Sequence, residues 1–160
     1  MLAGPPGHGP RPRAWDNPSV TRYYDLDSAA ARLEEVRPLL EGLRADRDRV
    51  AELQVEQTAF RRTNGNISHA EELARREEAI AEIVRRMESA VRRIDEWDVT
   101  LRDIGSGLID FPALVGGRPI WLCWRLGEPA IGYWHPHDEG FSGRRPLAEL
   151  PDLPGLGRAD

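Results

Sequence analysis

The sequence predicts an α+β fold, a long antiparallel helical hairpin of coiled-coil character followed by a small antiparallel β-meander. Three observations carry that expectation. Apolar residues recur at helical spacing over residues 26–50 and again over residues 73–97. From Val99 the period changes to two, and glycine-rich turns then punctuate the chain at short intervals. A length of 160 residues fits one folding unit with tails. Residues 1–21 read as a disordered N-terminal arm, residues 22–148 as a single domain and residues 149–160 as a flexible tail. Within the domain the hairpin takes residues 25–98, the meander 99–136 and a Gly/Arg loop 137–148.

The first helix opens at Tyr24-Asp25-Leu26-Asp27-Ser28, where Asp25 can accept from free amides of the first turn and Asp27 meets the positive end of the helix dipole. Leu26, Ala30, Leu33, Val36, Leu40, Leu43 and Val50 form its apolar stripe. Pro38 lies inside that stripe, and because proline removes a backbone hydrogen bond a kink or break is expected there. The helix is expected to end near Phe60. Residues 63–66, Thr-Asn-Gly-Asn, form a turn, and Ser68 with Glu71 matches a capping box that starts the second helix. In that helix Leu73, Ile80, Met87 and Ile94 interleave with Ile83, Ala90 and Trp97 at sevens, the seam of a coiled coil. Glu71–Arg75, Glu72–Arg76, Glu82–Arg86 and Glu88–Arg92 stand at the favourable i,i+4 order on its solvated face. Strands of five or six residues span only about 17–20 Å, whereas a helix of about 30 residues runs roughly 45 Å. One end of the hairpin is therefore left without a sheet beneath it, which favours a homodimer that completes a bundle.

In the meander, residues 99–104 form a first strand, and residues 108–111 a second that ends at Pro112. Residues 115–118 turn the chain, and residues 120–126 pair with 131–135 across a four-residue loop. That register sets Leu126 opposite Ile131, Trp124 opposite Tyr133 and Leu122 opposite His135. It turns Trp121, Cys123, Arg125 and Trp134 together to the face away from the helices.

Composition excludes several function classes. Net charge is -5 with acids alternating among the arginines, so no nucleic-acid footprint is expected. All 22 basic residues are arginine, which reflects coding bias. No apolar run is long enough for a membrane span and no signal-peptide core is present, so a cytoplasmic location is expected. A single cysteine leaves no internal disulfide and no multi-cysteine zinc site.

Candidate chemistry concentrates in RPIWLCWRLGEPAIGYWHPHDEGFSGRRPL, which holds three of the five tryptophans, the only cysteine and two of the four histidines. Cys123, Arg125, Trp134 and Arg144 are candidate ligand-binding residues, an aromatic surface with two guanidinium groups able to bind a small anion. His135, His137 and Asp138 are candidate ligands for zinc or another divalent metal, and Cys123 with His135 is a second combination that this register forbids and a one-residue slip would permit. A thiol nucleophile assisted by Arg125 is a further possibility that lacks any identifiable third group.

The segments YYDLDSAAARLEEVRPLL, DIGSGLIDFPAL and LCWRLGEPAIGYWHPHDEGFSGRRPL resemble a family of small bacterial and archaeal proteins known as domain of unknown function number 2203. The resemblance covers residues 23–147 and implies a helical hairpin followed by strands. It implies Asp110, Phe111, Cys123, Trp124, Arg125, Trp134, His135, Gly140 and Arg144 as characteristic positions, and supplies no activity. The function expected from the whole is that of a non-enzymatic oligomeric or partner-binding protein using the hairpin and the aromatic face. The alternative is a metal- or small-anion-binding protein, or an enzyme, with its site at the Cys/His/Arg hairpin and loop.

Overall fold

The computed structural model describes residues 22–63 and 67–150. The expected N-terminal arm, the turn residues Asn64, Gly65 and Asn66 and most of the expected tail lie outside the described residues. Two helices, α1 (Leu26–Arg61) and α2 (Ile67–Glu96), precede five strands: β1 (Thr100–Asp103), β2 (Leu108–Val115), β3 (Arg118–Arg125), β4 (Tyr133–Pro136) and β5 (Arg145–Pro146). The strands form one antiparallel sheet in sequential order, and the helices cover one of its faces. This is the α+β hairpin-plus-meander architecture that the periodicities predict.

Asp25 caps α1 as its composition suggests. Its carboxylate accepts from the Ser28 amide at 2.7 Å and its own amide donates to Ser28 Oγ at 3.0 Å, a reciprocal box that satisfies two free amides. An Asp25→Ala variant should lose about 1 kcal/mol of stability, read from the urea midpoint. The break expected at Pro38 does not occur, and α1 runs through it as one helix. The carbonyl that Pro38 leaves without a donor is that of Glu34, and both residues are exposed, so water can serve it. The stripe also differs by one place, with Ala29 buried and Ala30 exposed. Ser68 stands inside α2 rather than before it. Of the four expected i,i+4 pairs, Glu72–Arg76 forms at 3.1 Å, while Arg86 instead crosses to Asp46 of α1 at 2.6 Å.

The core lies where the helices meet the sheet. Leu33, Val36, Leu40 and Leu43 of α1 and Ile94 of α2 bury against Ile109, Phe111 and Ala113 of β2 and Ile120, Leu122 and Trp124 of β3. Tyr24 pins the foot of the hairpin to the sheet. Its amide donates to Pro112 O at 2.7 Å, its hydroxyl to Trp97 O at 2.6 Å, and its ring meets Phe111 edge-on at 5.2 Å. The same bond explains why β2 does not stop at Pro112 but continues to Val115. N and O of one strand residue face the same edge, and β1 pairs with β2 only as far as Asp110, so the proline nitrogen faces a place where no ladder donor is required. Gly116 and Gly117, both at positive φ (55° and 75°), make the two-residue turn that joins β2 to β3.

The β3–β4 register differs by one residue from the sequence-based one. Cys123 faces Tyr133, Leu122 faces Trp134 and Trp121 faces His135. The connection is longer than a four-residue loop because Glu128 gathers it: its side chain accepts from the Arg125 amide at 3.0 Å and its carbonyl from Trp124 Nε1 at 3.2 Å. With side-chain period two, this shift exchanges the faces of every β4 residue. Trp134 moves to the helix side with Leu122, and His135 joins Trp121 and Cys123 on the other. The segment expected to be a Gly/Arg loop also carries β5, which pairs Tyr133 with Pro146 and Trp134 with Arg145.

Candidate functional site

The face of the sheet turned away from the helices carries a buried polar cluster. Asp110 on β2 stands directly opposite Cys123 on β3, and His135 on β4 sits beside them. Each is almost wholly inaccessible, at 2%, 1% and 2% exposure. Charged and titratable groups are seldom buried so deeply without specific partners. Asp110 Oδ2 accepts from Arg102 Nε at 2.8 Å and lies 3.0 Å from His135 Nε2. Arg102 reaches it from a bulge in β1, where the register shifts between Leu101 and Asp103. Asp110 Oδ1 is buried with no hydrogen-bond partner. His135 Nδ1 lies 3.0 Å from Pro136 O, and since a carbonyl can only accept, Nδ1 carries a proton.

Electrostatics follow from this geometry. Burial alone would raise the Asp110 carboxyl, but its bonds to His135 and Arg102 outweigh burial and hold it below its ordinary 3.8. Burial would lower the His135 imidazole, and the Asp110 carboxylate raises it above 6.5 instead. Burial, with a contribution from Asp110, pushes the Cys123 thiol up to about 11 despite Arg144. Both ring nitrogens of His135 are engaged and the thiol stays protonated near neutrality, so the arrangement does not suit a histidine-activated thiol nucleophile.

Residues 137–144 fold across this face. Arg144 Nε donates to Cys123 Sγ at 3.3 Å, and its two terminal nitrogens hold Glu128 with contacts of 2.7 Å each, a two-bonded guanidinium–carboxylate pair. Tyr133 and Phe141 lie against the same guanidinium, at 4.1 and 4.7 Å from their ring centres. The His137 ring stacks on Trp121 at 4.9 Å. Between loop and sheet is a cavity of about 310 Å³ walled by Arg102, Asp110, Cys123, His135, His137 and Asp138, among others.

The structure thus brings Cys123, His135, His137 and Asp138 to one cavity and sets Arg144 behind the thiol. It does not bring Arg125 or Trp134 there. Arg125 is exposed and lies over Phe141 at 5.5 Å, and Trp134, on the helix side, lies under Arg145 at 5.3 Å. Among the described residues, the metal-ligating atoms that converge within 4.8 Å of one another are those of Asp110, Cys123 and His135. Sequence reasoning placed Asp110 among the characteristic positions and not in a site, and it missed Arg102 and Glu128. The available signal was an acid at the third position of Leu-Ile-Asp-Phe-Pro-Ala-Leu, a strand otherwise wholly apolar.

No curated protein and no solved structure matches the chain. The family described as uncharacterized conserved protein (DUF2203) matches over residues 22–147, a span that takes in both helices, the sheet and the whole polar cluster. The chain belongs to that family.

Proposed function

We propose that this chain is a non-enzymatic, cytoplasmic assembly protein whose hairpin packs on that of a second copy, as a coiled-coil-like homodimer. The observation that carries the reading is an open apolar groove along the hairpin where it outruns the sheet. The last buried residue of α1 is Leu43, and α2 buries only Ile94, so 44–61 of α1 extends roughly 27 Å past the core. Along that length Leu73, Ile80 and Ile83 are only half-buried. A polar tie between the helices there, Arg61–Glu77 at 3.0 Å, is an exposed pair worth about 0–1 kcal/mol, and the half-buried Arg76 reaches Glu56 only at 3.7 Å. The groove, about 620 Å³, is walled by Val50, Ala51, Val84, Met87 and Val91, and Val55 nearby is 70% exposed.

Two hairpins laid face to face make a four-helix bundle, the standard way for such seams to be covered. The groove is rimmed by Arg47, Arg92 and Glu88, so it presents both signs of charge, as a surface that meets its own copy requires. Most hairpin arginines lie against acids of the same hairpin, which supports a protein partner over nucleic acid. Among the described residues no helix is long and apolar enough to cross a membrane.

Sedimentation equilibrium on the full chain tests the reading. A mass twice the 18.0 kDa of one chain is expected, falling to one chain mass in the Val84→Glu/Val91→Glu variant with unchanged near-ultraviolet circular dichroism. Both positions are exposed in the single chain, so the charges should leave its fold intact. A wild-type protein that stays monomeric across the concentration range overturns the reading.

A further inference from the structure

We propose that Asp110, Cys123 and His135 bind one divalent transition-metal ion of the zinc type, whose fourth coordination position opens on the cavity beneath residues 137–141. The site lies on the sheet face opposite the hairpin groove and is independent of the assembly reading. Three features of the cluster converge on it.

The first is donor chemistry and spacing. Thiolate, imidazole and carboxylate together suit zinc or a neighbouring first-row ion and are a poor set for calcium or magnesium. Bonds of about 2.0–2.3 Å in a tetrahedron place donor atoms about 3.4–3.6 Å apart. His135 Nε2 and Asp110 Oδ2 stand at 3.0 Å and all three ligating atoms lie within 4.8 Å, so small side-chain shifts admit an ion. The second is the tautomer. Because Nδ1 donates to Pro136 O, Nε2 is the nitrogen turned to the cluster, and a ligating histidine fixed through its other nitrogen is the usual outer arrangement of a zinc site.

The third is Asp110 Oδ1. A buried carboxylate oxygen with no donor near it but the weak Cys123 thiol is a costly group that a His–Asp–Arg ion pair alone leaves unexplained, whereas a cation gives it a function. On binding, the ion takes the Sγ lone pair and the Nε2 lone pair, and both the thiol proton and the Nε2 proton shared with Asp110 leave to solvent, two protons released for one ion bound. Arg102 and Arg144 become outer partners of the ligating carboxylate and sulfur. Their positive charge weakens binding, and Glu128 offsets that of Arg144. Three protein donors and a cavity-facing fourth position are the pattern of sites that keep an exchangeable water, in contrast to closed structural sites.

Cobalt(II) is the probe. The full chain, prepared without a histidine tag and stripped by chelator, is titrated with cobalt and then with zinc. Expected are one equivalent bound, a near-ultraviolet thiolate-to-cobalt charge-transfer band, intense visible bands of four-coordinate cobalt, and loss of all of them on adding one equivalent of zinc. Cys123→Ser should abolish the charge-transfer band, and Asp110→Asn should weaken binding at least 10-fold. Arg125→Ala, on the same strand but outside the cluster, should do neither. Cys123→Ala serves if the serine variant loses its near-ultraviolet circular dichroism. A folded wild-type protein without the charge-transfer band overturns the proposal, and so does a band that survives removal of the thiol.

Discussion

Replacing Trp124 by alanine should cost about 3–5 kcal/mol, the largest loss expected from any single truncation in the core. Trp124 is the largest of the fully buried side chains. It lies on the helix side of β3, opposite Ile109 in β2, with the Arg37 guanidinium 5.6 Å from its ring centre. Removing the ring opens a void that the flanking strands, fixed by their ladders, can close only in part. It also deprives Glu128 O of its indole donor, and Glu128 is the residue that gathers the β3–β4 connection and holds Arg144. The loss should appear as a lower urea midpoint at nearly unchanged slope, followed by far-ultraviolet circular dichroism because the substitution removes one of the five tryptophan fluorophores and so alters the emission signal itself. Trp124→Phe, which keeps most of the volume and loses the hydrogen bond, should recover most of the stability. A loss below about 1 kcal/mol in the alanine variant would show that the sheet–hairpin core is not organised around this ring.

The helices and the first four strands are legible in the sequence because their signals are local, whereas the two-residue β5 inside the expected Gly/Arg loop leaves no such signal. A stripe at i, i+3, i+4, a cap at Asp25 and a pair of glycines between Val115 and Arg118 each report on neighbours within a turn or two of chain. The passage of α1 through Pro38 is not legible, because it depends on which side of the helix faces water, and that is set by the sheet. The register of β4 against β3 is not legible either. Trp134 and His135 are both plausible on either face, and the choice is made by Glu128 reaching back to Arg125 and Trp124. That single residue of register decides whether Cys123 and His135 meet. Asp110 was recognisable as unusual, but its partners Arg102 and His135 come from a bulge and from a strand 25 positions away, neither of which leaves a mark at position 110.

Asp110→Leu should cost about 3–5 kcal/mol in the metal-free protein, because it leaves a buried imidazolium and the Arg102 guanidinium without their counter-charge. Truncating both ends of the pair, as Asp110→Leu with His135→Leu, removes the buried imidazolium and leaves only the Arg102 guanidinium, which reaches water, so it should recover part of that loss and separate desolvated charge from lost volume. The dependence on pH carries the same signature. Asp110 is held below its ordinary 3.8, so its stabilising contribution is complete above that value and is lost as the pH falls through its folded value. His135 is held above its ordinary 6.5, so its contribution is complete below that value and is lost as the pH rises through its folded value. Urea midpoints of chelator-treated wild-type protein should therefore hold level between about pH 4 and 6.5 and decline on either side for this pair. The double variant should lack both declines. The single variant should instead gain stability as the pH rises and the isolated imidazolium gives up its proton. An Asp110→Leu protein as stable as the wild type at pH 6 would mean that the Asp110–His135 pair contributes nothing net to the fold.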